Sequence, residues 1–73
     1  MDLQAAVTIA KQHVGDQFAH DAPQNIRLEE FLYDDHLGVW TLTIGFALPD
    51  TARGYKVVCV SEANKSVLSI RDR

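Results

Sequence analysis

Residues 38–48 alternate large apolar side chains with small or β-branched ones. The bulky side chains occupy the even positions: Trp40, Leu42, Ile44, Phe46 and Leu48. Because side chains on a strand point alternately to the two faces of a sheet, this pattern predicts a strand with one bulky apolar face. The stretch is the longest of its kind in the chain and holds the only tryptophan, so we expect it to lie centrally in a sheet.

The N-terminal residues show the period of an amphipathic helix. Apolar side chains recur at steps of three and four: Leu3, Ala6, Val7, Ala10 and Val14. Asp2 precedes this stripe and is a typical N-cap residue, because its carboxylate accepts from free amides of the first turn. The far end stays open, since Gly15 fits a helix end while Phe18 continues the stripe; we favour the longer helix.

Three further stretches are typical of strands: Ile26 to Tyr33, Tyr55 to Ser61 and Ser66 to Arg71. Turn-forming residues separate the strands at 34–38, 49–54 and 62–65, and in the last of these turns Asn64 is able to take a positive φ. The sequence therefore predicts a single α+β domain spanning 1–73. One N-terminal helix packs on a three- to four-stranded antiparallel meander sheet, in the order α-β-β-β-β.

One carboxylate leaves the pairing of the first two strands open. Placing Leu32 near Trp40 and Leu28 near Ile44 keeps the apolar side chains on one face, but it points Glu30 at the core. An unpaired buried carboxylate is costly, so either a β-bulge shifts the parity or Glu30 lies at an edge with a partner.

Composition and charge exclude several classes of protein. The formal net charge is −3 and the basic residues are scattered, which argues against nucleic-acid binding. No apolar run approaches the roughly 20 residues of a membrane span, and the N-terminus lacks an export pattern. Cys59 is the only cysteine, so no intrachain disulfide forms. We expect a protein of the cytoplasm that binds neither membranes nor nucleic acids.

No motif in the chain indicates catalysis or a bound cofactor. The three histidines never stand four residues apart, as a helical metal site requires. The acidic turn Asp34–His36 is first of all a turn, and Cys59 lies inside an apolar strand where a packed thiol is expected. The adjacent carboxylates Glu29 and Glu30 are expected on opposite strand faces. We therefore predict a non-enzymatic protein without catalytic, cofactor-binding or metal-binding residues.

The sheet face opposite the helix is the predicted interaction surface. A single helix covers one face only, and the other is expected to carry apolar and β-branched side chains with few charges. The candidate partner-binding residues are Phe31, Tyr33, Val39, Thr41, Thr43, Tyr55 and Val57. The alternative is an ordinary half-exposed sheet face, because threonine and tyrosine are common strand residues.

Four segments together carry a family resemblance: the alanine-rich helix at 5–11, the tryptophan strand at 40–46, and the strands at 55–60 and 66–70. The chain resembles small PepSY-like domains and immunity-protein-35-like bacterial domains, which look like half of a cystatin-type fold. PepSY-like domains are thought to bind or inhibit peptidases, and immunity-type relatives would bind a toxin. The resemblance implies a protein-binding module of inhibitor or immunity type; the alternative is a homodimer formed through the sheet face or an edge strand.

Overall fold

The computed structural model describes residues 1–49 and 53–73, in which one long helix lies on one face of a four-stranded sheet. The elements are α1 (Leu3–Gln17), a short 3₁₀ turn (Ala19–Asp21), β1 (Gln24–Asp34), β2 (Val39–Ala47), β3 (Gly54–Ser61) and β4 (Ser66–Asp72). Neighbouring strands are antiparallel, in the order β1-β2-β3-β4. The predicted α+β meander is confirmed. Of the connection predicted at 49–54, residues 50–52 lie outside the described residues.

Helix α1 begins and ends as its sequence pattern indicates. The Asp2 carboxylate accepts a hydrogen bond from a first-turn amide at 2.8 Å, which confirms the predicted N-cap. The helix continues through Gly15 to Gln17, and the amide of Phe18 donates to the carbonyl of Val14 at 3.0 Å. The longer of the two predicted helices is therefore the one that forms. In the described residues no helix is both long and apolar enough to cross a membrane.

The core lies between α1 and the two central strands. Ala6, Ala10 and Val14 face the sheet with no exposed surface. Opposite them, five side chains of β2 and β3 are buried: Leu42, Ile44, Phe46, Val58 and Val60. Burial of each such large side chain contributes roughly 1.5–3 kcal/mol. The bulky face of β2 therefore meets the helix, as predicted.

A β-bulge in β1 resolves the placement of Glu30. Leu28 lies opposite Ile44 as predicted, but the next regular pair joins Glu30 to Thr43, so Glu29 is the extra residue. The bulge moves Glu30 to the face away from the helix. There its carboxylate accepts from Arg73 Nη2 at 2.9 Å. Both predicted ways of accommodating the charge, a bulge and an edge partner, are therefore present.

The same bulge reverses the faces of the following residues. Leu32 lies opposite Thr41, and the predicted Leu32–Trp40 pairing is wrong. Tyr33 instead lies opposite Trp40, on the helix side. One inserted residue exchanges the faces of every side chain beyond it, because side chains alternate with a period of two.

The two described hairpin turns share one geometry. In each, the last turn residue donates its amide to the carbonyl four residues earlier: Gly38 to Asp34 and Lys65 to Ser61, both at 2.8 Å. That last residue takes the positive φ, which is 63° at Gly38 and 53° at Lys65. The positive φ falls at Lys65 and not at Asn64, because this closure places the left-handed residue next to the returning strand.

Two glycines on the central strands have different neighbours. A Cβ atom at Gly54 would lie 2.5 Å from Cε2 of Phe46, a buried ring that stacks on Phe18 with centroids 5.9 Å apart. A Cβ atom at Gly45 would meet the Glu29 carboxylate at 2.8 Å. The Glu29 carboxylate is the end of a flexible, part-exposed side chain that pairs with Arg27, whereas the Phe46 ring is held in the core.

We expect Gly54→Ala to lower the free energy of unfolding by about 1–3 kcal/mol, because the buried ring must shift to admit a methyl group. Gly45→Ala is the matched control and should lower the free energy of unfolding by less, because its Cβ atom would meet the end of a flexible side chain and not a buried ring. Urea denaturation of both variants measures the difference. Equal losses would contradict the close contact between Gly54 and Phe46.

Candidate functional site

The face of the sheet opposite α1 carries most of the predicted site. Register pairs Thr41 with Cys59 and Thr43 with Val57, so these side chains share one face. Val39 and Tyr55 lie on the same face by strand alternation. Five of the seven predicted residues are therefore together, in the central strands.

This face is not the exposed apolar surface that the sequence predicted. Thr43 and Val57 at its centre are each only 7% exposed. The Arg73 guanidinium lies 5.4 Å from the centre of the Tyr55 ring and pairs with Glu30. Because β2 and β3 lie between the strands that carry these two charges, the ion pair spans the face. The expectation of few charges here was wrong.

Phe31 and Tyr33 lie on the other face, and their predicted placement is corrected. The bulge turns them to the helix side, where Phe31 is opposite Leu42 and Tyr33 is opposite Trp40, with ring centroids 4.6 Å apart. Yet Phe31 remains 55% and Tyr33 39% exposed. The reason is that a 15-residue helix buries the central strands and leaves the outer end of β1 uncovered.

The exposed apolar surface is instead concentrated along one edge. Phe31, Leu32, Tyr33 and Leu37 are four of the five exposed large hydrophobic residues in 1–49 and 53–73. We call these four residues the edge patch. Sequence reasoning missed Leu32, because it did not decide whether β1 contains a bulge. It missed Leu37, because that residue lies in a turn. An apolar leucine beside an acidic turn was the available signal.

The backbone of β1 also leaves this edge open to a further strand. β1 is the outermost strand of the described sheet, so one side of it pairs with β2 and the other has no strand neighbour. Its irregularities are confined to 24–30, whereas residues 30–34 pair regularly with β2. The regular segment holds three of the four residues of the edge patch. An edge of this kind is a template for adding a strand.

A carboxylate clasp supports Trp40, the neighbour of Tyr33. Glu62 Oε1 accepts from the indole nitrogen of Trp40 at 2.9 Å, and Oε2 contacts the Met1 ammonium at 2.5 Å. The hydrogen bond from that ammonium, and then the one from the indole, hold the pKa of Glu62 below its usual value. The two contacts of Glu62 thus connect the N-terminus, the hairpin end of β2 and the β3–β4 turn.

The carboxylate of the acidic turn and the thiol of Cys59 both have partners within the fold. Asp34 Oδ1 accepts from the amides of His36 and Leu37 at 2.9 and 3.1 Å, so this carboxylate organises the turn. The Cys59 sulfur lies 3.8 Å from Thr41 Oγ1 and 3.9 Å from a nitrogen of Arg71. Within the described residues, no three His, Cys, Asp or Glu side chains are close enough to hold a metal ion.

Comparison of the chain with protein-family models, with curated proteins and with solved structures finds no match. The PepSY-like and immunity-protein resemblance therefore stays a prediction from the sequence.

We expect Glu62→Gln to lower the melting temperature at pH 7, because the neutral amide holds the ammonium and the indole less well. Since the folded-state pKa of Glu62 lies below the unfolded value, its contribution is present at neutral pH and is lost as pH falls through the folded pKa. The melting temperatures of the variant and the parent should therefore converge once the pH has fallen below the folded-state pKa of Glu62.

Fluorescence of Trp40, the only tryptophan, reads the same contact directly. Its emission should change in a titration step whose apparent pKa lies below the ordinary glutamate value of about 4.3. Glu62→Gln should abolish this step in the emission. Glu30→Gln is the control, since Glu30 pairs with Arg73 and should leave the step in place. A step that persists in Glu62→Gln would show that another group causes it.

Proposed function

We propose that this chain is a non-enzymatic protein-binding module that engages its partner through the edge patch and the outer side of β1. The observation that carries the proposal is the clustering of exposed apolar side chains on one edge strand and its turn: Phe31, Leu32 and Tyr33 on β1, and Leu37 in the turn that follows. Exposed apolar side chains that cluster, in contrast to ones scattered singly, mark interaction sites in soluble proteins.

The arrangement suits strand addition better than docking on the open face. Phe31 and Tyr33 project from one side of β1 and Leu32 from the other, so an added strand meets apolar side chains on both of its faces. Backbone hydrogen bonds to the edge supply affinity in this mode, and alternate side chains supply specificity. The open face offers less, because Val57 and Thr43 are already covered.

The opposite edge provides an internal comparison. β4 is shorter than β1, and its irregularity lies between the residues paired with Cys59 and Val60, in the middle of the strand. Leu68 is its one exposed large hydrophobic residue, with 55% exposure that equals that of Phe31. A bulge and a short length both weaken an edge as a template, so β1 is the better candidate.

An inhibitor or immunity role is one form of such binding, and it rests on the resemblance alone. We place the module in the cytoplasm as part of the proposal. Cys59 is the only cysteine, so the fold uses no intrachain disulfide, as is usual in a reducing compartment.

Selection of displayed random peptides on the immobilised protein tests the proposal without knowledge of the natural partner. Peptides that bind the parent should lose at least about tenfold in affinity for the double variant Phe31→Ser and Leu32→Ser, because these side chains form the centre of the proposed contact. Both are exposed, so the variant should keep its melting temperature to within a few degrees.

Leu68→Ser is the matched control, since it removes an equally exposed side chain from the opposite edge. It should leave peptide affinity unchanged, and amide shifts on binding should map to residues 30–34. Peptides that bind the double variant as well as the parent, or amide shifts confined to other strands, would contradict the proposal.

A further inference from the structure

The chain's net negative charge lies on the same segment as the edge patch. Residues 24–37 hold one basic residue, Arg27, and four acidic ones: Glu29, Glu30, Asp34 and Asp35. Their net charge of −3 equals that of the whole chain, so the remaining residues are balanced. The segment that carries the apolar edge is therefore also the acidic segment of the chain, a combination that selects among possible occupants.

The order of side chains along the regular segment specifies a complementary pattern. On the open-face side of β1, Leu32 stands between Glu30 and Asp34; on the helix side lie Phe31 and Tyr33. A strand added at the edge places its side chains beside these with the same alternation. Its best neighbours are cations at the two ends and apolar side chains at the three positions between.

Both terminal carboxylates can accept a further contact. The Glu30 side chain is 61% exposed although it pairs with Arg73, and Asp34 uses one oxygen for its turn contacts. A carboxylate offers about four acceptor sites, so each has capacity for a cation from a partner. The pattern of charge, three apolar residues and charge is unchanged on reversal, so it fits a parallel or an antiparallel strand.

We infer that the occupant of the β1 edge is an extended, basic segment of another protein, with a lysine or arginine on each side of three consecutive apolar residues. This inference rests on the proposed function and specifies its ligand. A second copy of the chain is a poorer occupant. Antiparallel pairing of two β1 edges centred on Leu32 would bring Glu30 of each copy beside Asp34 of the other, and like charges opposite one another are destabilising.

Three blocked peptides with the core lysine–valine–isoleucine–valine–lysine, or with both lysines replaced by glutamine or by glutamate, test the inference in NMR titrations of the full chain. Amide shifts should centre on residues 30–34. The lysine peptide should bind roughly tenfold more tightly than the glutamate peptide at low ionic strength, with the glutamine peptide between them, and added salt should reduce the ratio.

Two variants distinguish the effect of charge at the β1 edge from the effect of the chain's total charge on peptide preference. Glu30→Lys should reduce the preference for the lysine peptide severalfold. Asp16→Lys makes the same change in net charge on the exposed surface of α1, away from the edge, and should keep the preference. Sedimentation of the free protein should show a monomer at all concentrations used.

The outcomes distinguish the two proposals. Equal binding of all three peptides at residues 30–34 would overturn the basic ligand and leave the binding edge in place. An equal loss of preference in Glu30→Lys and Asp16→Lys would also overturn the basic ligand and leave the binding edge in place, since the preference would then depend only on the total charge of the chain. Absence of binding, or shifts confined to other strands, would overturn both proposals. Dimerisation through β1 would make a second copy the occupant and overturn the basic segment.

Discussion

The close contact between the alanine-bearing stripe of α1 and the two central strands determines what the rest of the molecule buries and exposes. Ala6 and Ala10 have no exposed surface, so the helix backbone approaches the sheet closely above β2 and β3. A helix of 15 residues is about 22 Å long, too short and narrow to cover every residue of four strands. Core and uncovered edge are two consequences of one packing arrangement.

The bulge in β1 then decides which side chains occupy the uncovered edge. Without the extra residue at Glu29, Leu32 would lie on the helix side and Phe31 and Tyr33 on the open face. With it, the aromatic pair moves to the helix side beyond the reach of α1, and Glu30 moves out to its contact with Arg73. A single inserted residue therefore avoids a buried carboxylate and turns the aromatic pair, rather than Leu32, to the helix side.

The elements and the core could be predicted from the sequence because each follows from a local period. The alternation around Trp40 and the helical stripe ending near Phe18 needed no knowledge of distant contacts. The faces beyond Glu29 could not be predicted, because the choice between a bulge and a partnered edge carboxylate depends on Arg73, 43 positions later. The contact of Arg73 with Glu30 and Tyr55 across the open face is equally non-local.

The acidic residues along β1 bear on how this exposed edge strand avoids self-association. A regular, apolar edge strand invites pairing between copies, and proteins blunt such edges with bulges or charges. Here the bulge protects only the first part of β1, whereas Glu30 and Asp34 flank the regular, apolar part. Carboxylates at those positions oppose pairing with an identical strand but not with a basic one. Under the proposed function, the same charges disfavour self-association and favour an unlike, basic partner.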